Sequence, residues 1–141
     1  MILPDLNVLL YAFRRDSPAH AAYRQWLEAL VNAPSAYGMV PEVLASVIRI
    51  STHPRIYVQP STLEEAIEFC QTLLTPDTCT VVYPGDRHWD IFLDLCAKSG
   101  ATGNLIQDAW FAALAIESGC QWVTTDHDYS RFPGLRWRTP L

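Results

Sequence analysis

Four carboxylates are placed where the chain could do chemistry. Asp5 closes the apolar run Met1 to Pro4, Glu42 follows Tyr37 to Val40, Asp108 lies early in the run that opens at Asn104, and Asp126 follows Cys120 to Thr124. Two unpaired like charges about 4 Å apart repel by roughly 4 kcal/mol at an effective dielectric near 20, so a gathered set must take up protons or a cation. No Lys or Arg adjoins any of the four in sequence, which favours a metal, and all-oxygen donors suit hard Mg²⁺ or Mn²⁺. Metal held in this way bridges a phosphate, lowers the pKa of bound water and stabilises charge on the attacked phosphorus and the leaving oxygen. Such a reaction needs no nucleophile from the protein. Asp5, Asp108 and Asp126 are therefore assigned to metal binding, with Glu42 either ligating directly or holding a metal-bound water.

Each acid also has an ordinary reading. Asp5 can cap the helix that follows it, Glu42 and Asp108 can complement helix N-terminal dipoles, and Asp126 can form an Asx-turn in Thr-Asp-His-Asp. Only joint placement separates these roles from a site, so the elements that carry them matter.

The apolar pattern predicts strands at Met1 to Pro4, Tyr37 to Val40, Thr78 to Tyr83 and Cys120 to Thr124, with a last edge strand at Leu135 to Trp137. Between them lie helical segments. A short helix runs through roughly Tyr11; a second opens with Ser17 as N-cap and Pro18 at its first position and continues to Leu30. Pro41 starts a third, which stops before His53-Pro54; Ser61-Thr62-Leu63-Glu64 reads as a capping box for a fourth. Asp86 to Lys98 and Asn104 to Ser118 are helical, each followed closely by glycine, at Gly100 and Gly119. Strands separated by helices predict an α/β fold with a mostly parallel sheet covered on both faces. In that architecture strand C-termini and the N-termini of following helices share one rim, where ligands bind. All four acids fall on it.

Length and composition bound the rest. The 141 residues suit one domain over 1–141, and 50% hydrophobic with 18% charged residues is apolar enough to predict an oligomer or a tight complex. The net charge of −5 argues against nucleic-acid binding driven by overall charge. It leaves room for a nuclease whose acids surround cations. The N-terminus carries no basic segment typical of a signal peptide, and no run is long enough to span a membrane, so a cytoplasmic location is expected. Cys70, Cys79, Cys96 and Cys120 form no C-x-x-C pair, which argues against structural zinc. His20, His53, His88 and His127 share no ligand spacing either.

Three separated segments then carry a resemblance: PDLNVLLYAFRRDSPAH, PEVLASVIRISTHPRIY and GNLIQDAWFAALAIESGCQWVTTDHDYSRFPGLRW, together with PGDRHWDIF. The chain resembles PIN-domain ribonucleases, specifically VapC-type toxins of toxin-antitoxin modules. The resemblance implies a PIN-like three-layer α/β/α sandwich and Mg²⁺- or Mn²⁺-dependent cleavage of RNA to 5′-phosphate and 3′-hydroxyl products. It further implies inhibition by a VapB-like antitoxin, and a homodimer. Its acidic positions correspond to Asp5, Glu42, Asp108 and Asp126. An antitoxin segment is expected over apolar grooves near Ala12 to Leu30 and Val43 to Ile50.

Supporting residues follow from position. Asn7 is placed to orient Asp5, Asn104 to support the Asp108 helix, and Thr124 or Thr125 to bond a ligand or a metal-held water; Asp128 is expected at the periphery. Two other readings compete. A haloacid-dehalogenase-like phosphatase also begins with an acid at the end of its first strand, but position 7 is Asn where a second Asp would serve as acid or base. A PIN-like module that only binds RNA or protein would need no complete site.

Overall fold

The computed structural model describes residues 1–141. Five short strands alternate with six α-helices. Strand β1 (Ile2–Pro4) leads into α1 (Leu6–Phe13) and α2 (His20–Asn32); β2 (Tyr37–Met39) leads into α3 (Pro41–Ser51) and α4 (Leu63–Leu74). Then β3 (Cys79–Val81) leads into α5 (His88–Ser99) and α6 (Asn104–Ser118), and β4 (Gln121–Val123) into a 3₁₀ turn (His127–Arg131) and β5 (Trp137–Arg138).

Every strand pairing is parallel. β4 lies between β1 and β5, and β2 pairs with β3. β1 and β2 run side by side and bring the two ladders into one layer in the order β3-β2-β1-β4-β5. The order reverses between β1 and β4. Right-handed crossovers then send the helices after β1 and β2 to one face and those after β3 to the other. A crevice opens where neighbouring strands feed opposite faces, beyond their C-terminal ends.

The core fills this layer from both sides. Leu3, Leu9, Tyr37, Met39, Val43, Val47, Ala112, Leu114 and Trp122 are all essentially inaccessible to solvent. Gly38 is required at the β1–β2 contact, because a Cβ there would overlap Leu3 Cδ2 and press on Val82.

Several boundaries differ from expectation, each for a local reason. The first helix extends to Phe13 rather than ending near Tyr11. The second starts at His20, not at Pro18: Ser17 and Pro18 lie in a turn, and Ala19 takes a left-handed conformation at φ 55°. His20 Nδ1–H donates to the Tyr11 carbonyl at 2.8 Å and ties the helix start to α1. The fourth helix is capped by Thr62, whose hydroxyl accepts from Glu65 N–H at 3.1 Å. The Ser61 hydroxyl instead accepts from Arg14 at 3.0 Å. The start of α5 is held by Glu117, whose carboxylate accepts from the backbone N–H groups of Gly85 and Arg87.

Candidate functional site

Asp5 sits at the end of β1 with its backbone N–H donating to Val123 at the end of β4, so the crevice begins at this residue. Its carboxylate caps α1, accepting from Leu6 N–H at 2.7 Å through Oδ1. Oδ2 accepts from the Thr124 hydroxyl at 2.6 Å. The cap and the site roles are thus filled by the same side chain. Asp5 is 7% exposed. Burial pushes its carboxyl up to about 6 despite these two hydrogen bonds, and the charges of Asp108 and Asp126 push in the same direction.

Thr124 is fully buried and joins two acids. While its hydroxyl donates to Asp5, its oxygen accepts from Asp126 N–H at 3.0 Å. Asp126 in turn caps the 3₁₀ turn, its Oδ1 accepting from Asp128 N–H at 2.8 Å. The Asx-turn anticipated for Thr-Asp-His-Asp is present, and it fixes one Asp126 oxygen while leaving the other uncommitted.

Asp108 arrives from α6 on the opposite side of the crevice. It is half-buried, and burial first, then the charge of Asp126, raises its carboxyl above the ordinary value. The Tyr129 hydroxyl donates to its Oδ1 at 3.3 Å. Tyr129 is 1% exposed, and burial together with the charges of Asp5 and Asp108 raises its phenol, so the group keeps its proton and remains a donor.

Asp5, Asp108 and Asp126 therefore share one electrostatic neighbourhood. Glu42 stands apart. It is exposed in the first turn of α3, facing Asn104 and Gln107 across a shallow pocket, and its charge is not among those acting on Asp5 or Asp108. None of the four acids pairs with Lys or Arg; the ion pairs lie elsewhere, at Arg14–Asp16, Arg24–Glu28, Lys98–Asp94 and Arg131–Asp128. An uncompensated all-oxygen donor set with a buried carboxylate fits a hard divalent cation. As the side chains stand, no three acids, imidazoles or thiols converge closely enough to hold one. Side-chain rotation at the half-buried acids is needed to complete a coordination sphere.

The residues of the chain from 2 to 135 match the PIN-domain family model. Over 141 residues the chain is 40% identical to a VapC ribonuclease of Mycobacterium bovis, covering 100% of this chain and 96% of that protein. The chain belongs to the PIN-domain family of VapC ribonucleases. It is also 37% identical over 142 residues to ribonuclease VapC31 of Mycobacterium tuberculosis, with both proteins covered completely. In fold it is similar to the crystal structure of VapBC2 from Rickettsia felis bound to a promoter DNA fragment, with a TM-score of 0.70, 20% identity, and 99% and 98% of the two chains covered. The three-layer α/β arrangement expected of a PIN domain is the one observed.

Within this PIN domain the supporting residues divide clearly. Thr124 takes the bridging position, whereas Thr125, Asn7 and Asn104 make no side-chain hydrogen bond to the acids; Asn104 is exposed beside Glu42. Asp128 is exposed, 3.6 Å from Arg131; it bonds the site through its backbone N–H, and its charge adds to those raising the Asp108 carboxyl. Tyr129 was not legible as a site residue. Its phenol reaches Asp108 across 21 positions of sequence, and only its place three residues after Asp126 hints at this.

Two further features lie away from the acids. Arg14 is buried, donates to both oxygens of Asp16, to the Gln59 carbonyl and to Ser61, and covers the Tyr57 ring at 3.9 Å. It ties the loop between α3 and α4 to the end of α1. Beside it, a groove of about 770 Å³ runs between α2 and α4, lined by Phe13, Leu27, Val31, Phe69 and Leu73 among its apolar side chains. The expected apolar groove near Ala12 to Leu30 is present, while most of the apolar side chains expected to line one near Val43 to Ile50 face inward. Val43, Leu44 and Val47 are buried in the core, and α4 forms the second wall instead.

Proposed function

We propose that this chain is the toxin of a type II toxin-antitoxin pair, acting as a single PIN domain over residues 1–141 and as a cytoplasmic, Mg²⁺- or Mn²⁺-dependent endoribonuclease. The observation that carries this reading is the crevice between β1 and β4, where the charges of Asp108 and Asp126 add to burial in raising the Asp5 carboxyl, and none of the three acids is in an ion pair. The strong identity to VapC ribonucleases over the full chain supports it, as does the absence of any helix long and apolar enough to cross a membrane.

Asp5, Asp108 and Asp126 would hold the cation, with Glu42 entering directly or through water. When bound, a divalent ion supplies positive charge at the scissile phosphate and acidifies water for attack. The protein's part is placement. Thr124 fixes Asp5 and the Asp126 backbone together, and Tyr129 holds one oxygen of Asp108, so these three side chains start close to one another and only limited rotation is left to bring their oxygens onto a cation. In-line hydrolysis at phosphorus then leaves a 5′-phosphate on one fragment and a 3′-hydroxyl on the other.

The groove between α2 and α4 supplies the surface for a VapB-like antitoxin, consistent with neighbours solved as toxin-antitoxin complexes. A basic antitoxin side chain reaching the acids would neutralise them and compete with metal. A homodimer is part of the same proposal.

Purified chain, freed of its partner and incubated with structured RNAs plus Mg²⁺ or Mn²⁺, tests the reading. Internal cleavage that EDTA abolishes is expected. Hydrolysis of small phosphoesters without RNA cleavage would favour the phosphatase alternative, and RNA binding without turnover would favour a non-catalytic module.

A further inference from the structure

A shallow pocket of about 350 Å³ lies between the start of α3 and the first turns of α6, near the small end of the range of roughly 300–1,000 Å³ for small-ligand sites. Glu42 stands on one side; Phe92, Ile106 and Trp110 form an apolar wall; Asn104 and Gln107 line the rest. Asn104 lies three residues before Gln107 and four before Asp108 on α6, so it neighbours each of them on the helix surface. The pocket thus lies beside the turn that carries Asp108, with Glu42 on its other side.

Its chemistry is that of a flat, edge-reading site. Phe92 is buried and packs edge to face against Trp110 at 5.3 Å, which leaves the part-exposed Trp110 as the aromatic surface of the wall. An aromatic side chain in such a position stacks a nucleobase, at about 1–3 kcal/mol per base. No protein group takes up the side-chain amide of Asn104 or Gln107, both of which are exposed. Each offers one acceptor and two donors to a base edge.

We propose that this pocket receives one nucleobase next to the scissile phosphate, with Phe92 and Trp110 as its apolar wall and Gln107 and Asn104 reading the base edge. The inference rests on the ribonuclease reading and deepens it, by giving the cut a local base preference. Its position argues for a single-stranded nucleotide over a second copy of the chain. The pocket is small, it opens on the catalytic rim, and its polar groups match a base edge better than a helix face.

The test has two arms, both on full-length chain. In the first, a random-sequence single-stranded RNA pool is cleaved with Mn²⁺, and the nucleotides flanking each cut are sequenced for wild type, Gln107→Ala and Asn104→Ala. A preference of about tenfold at one flanking position is expected for wild type, the scale of one hydrogen bond. It should fall to within about twofold in Gln107→Ala, with preferences at other positions retained. Unchanged preference in both variants would overturn the proposal. The second arm works even if the chain does not cleave RNA: tryptophan fluorescence with Ca²⁺ in place of Mn²⁺ compares binding of an RNA dodecamer with that of the same strand carrying abasic sites. Weaker binding of the abasic strand by wild type, with a smaller difference for Gln107→Ala, supports the pocket. Equal binding contradicts it. A Trp89→Ala chain, lacking the exposed ring beside Phe92, that changes oligomeric state in sedimentation while keeping the wild-type base preference would assign this face to a second copy and also contradict it.

Discussion

Asp5 carries the conflict between stability and function. Its carboxyl is at about 6 in the folded chain against an ordinary 3.8, because burial disfavours the charge. Between those values the folded state holds a proton that the unfolded state has released. Stability therefore falls as pH rises from about 4 to 6, and levels off above, with the cost of ionising Asp5 roughly 3 kcal/mol at most. Asp5→Asn removes this cost while retaining an acceptor for Leu6 N–H. In EDTA at pH 7.5 the variant should unfold at higher urea than wild type, and the two should coincide near pH 4. Thr124→Val tests the bridge from the other side: losing the hydroxyl removes a hydrogen bond that lowers the Asp5 pKa. The acidic limb of the pH–rate profile should move upward and activity should drop by about 10–100-fold, measured as single-turnover cleavage across pH 5 to 8.

At the scale of elements, what was legible in the sequence was type and order; what was not were local contests settled by distant partners. Alternation of apolar runs with helical stripes located every strand and helix, and Gly119 ended α6 where expected. The α4 cap is Thr62, one residue later than expected, while Ser61 bonds Arg14, 47 positions away. The start of α2 moved because Ala19 adopts a left-handed turn after Pro18. Three of the four acids were legible as neighbours because parallel-sheet topology places strand ends on one rim. Tyr129, in contrast, acts through a contact that no local pattern encodes, and the exposed position of Glu42 depends on how α3 leaves β2. Gly38 gives a direct test of the β1–β2 approach. Gly38→Ala should cost about 1–3 kcal/mol, read as a lower urea midpoint with unchanged m-value, because the new methyl group meets Leu3 and Val82.

For the whole molecule, the acids and the groove between α2 and α4 are separate surfaces, which the proposed function gives to RNA and to a partner respectively. A partner that fills the groove binds only the folded chain, so it must raise the unfolding temperature in a concentration-dependent way. Thermal scans of the chain with and without the product of a small neighbouring gene should show this shift together with loss of RNA cleavage. An unshifted transition would remove the groove from the account. The net charge of −5 fits this division, since affinity for RNA then depends on the cation held by the acids more than on a basic face.

The central claim is that a buried, cation-dependent acidic crevice cuts RNA. Its most direct test is cleavage of one end-labelled RNA by wild type and by Asp5→Asn across a Mn²⁺ titration, with the chemistry of the new ends determined. Wild type should cleave internally in proportion to metal occupancy and leave 5′-phosphate ends, while Asp5→Asn, although folded and more stable in EDTA, should lose at least about 100-fold in rate. Equal product profiles from the two proteins, or undiminished cleavage by wild type in EDTA, would contradict it.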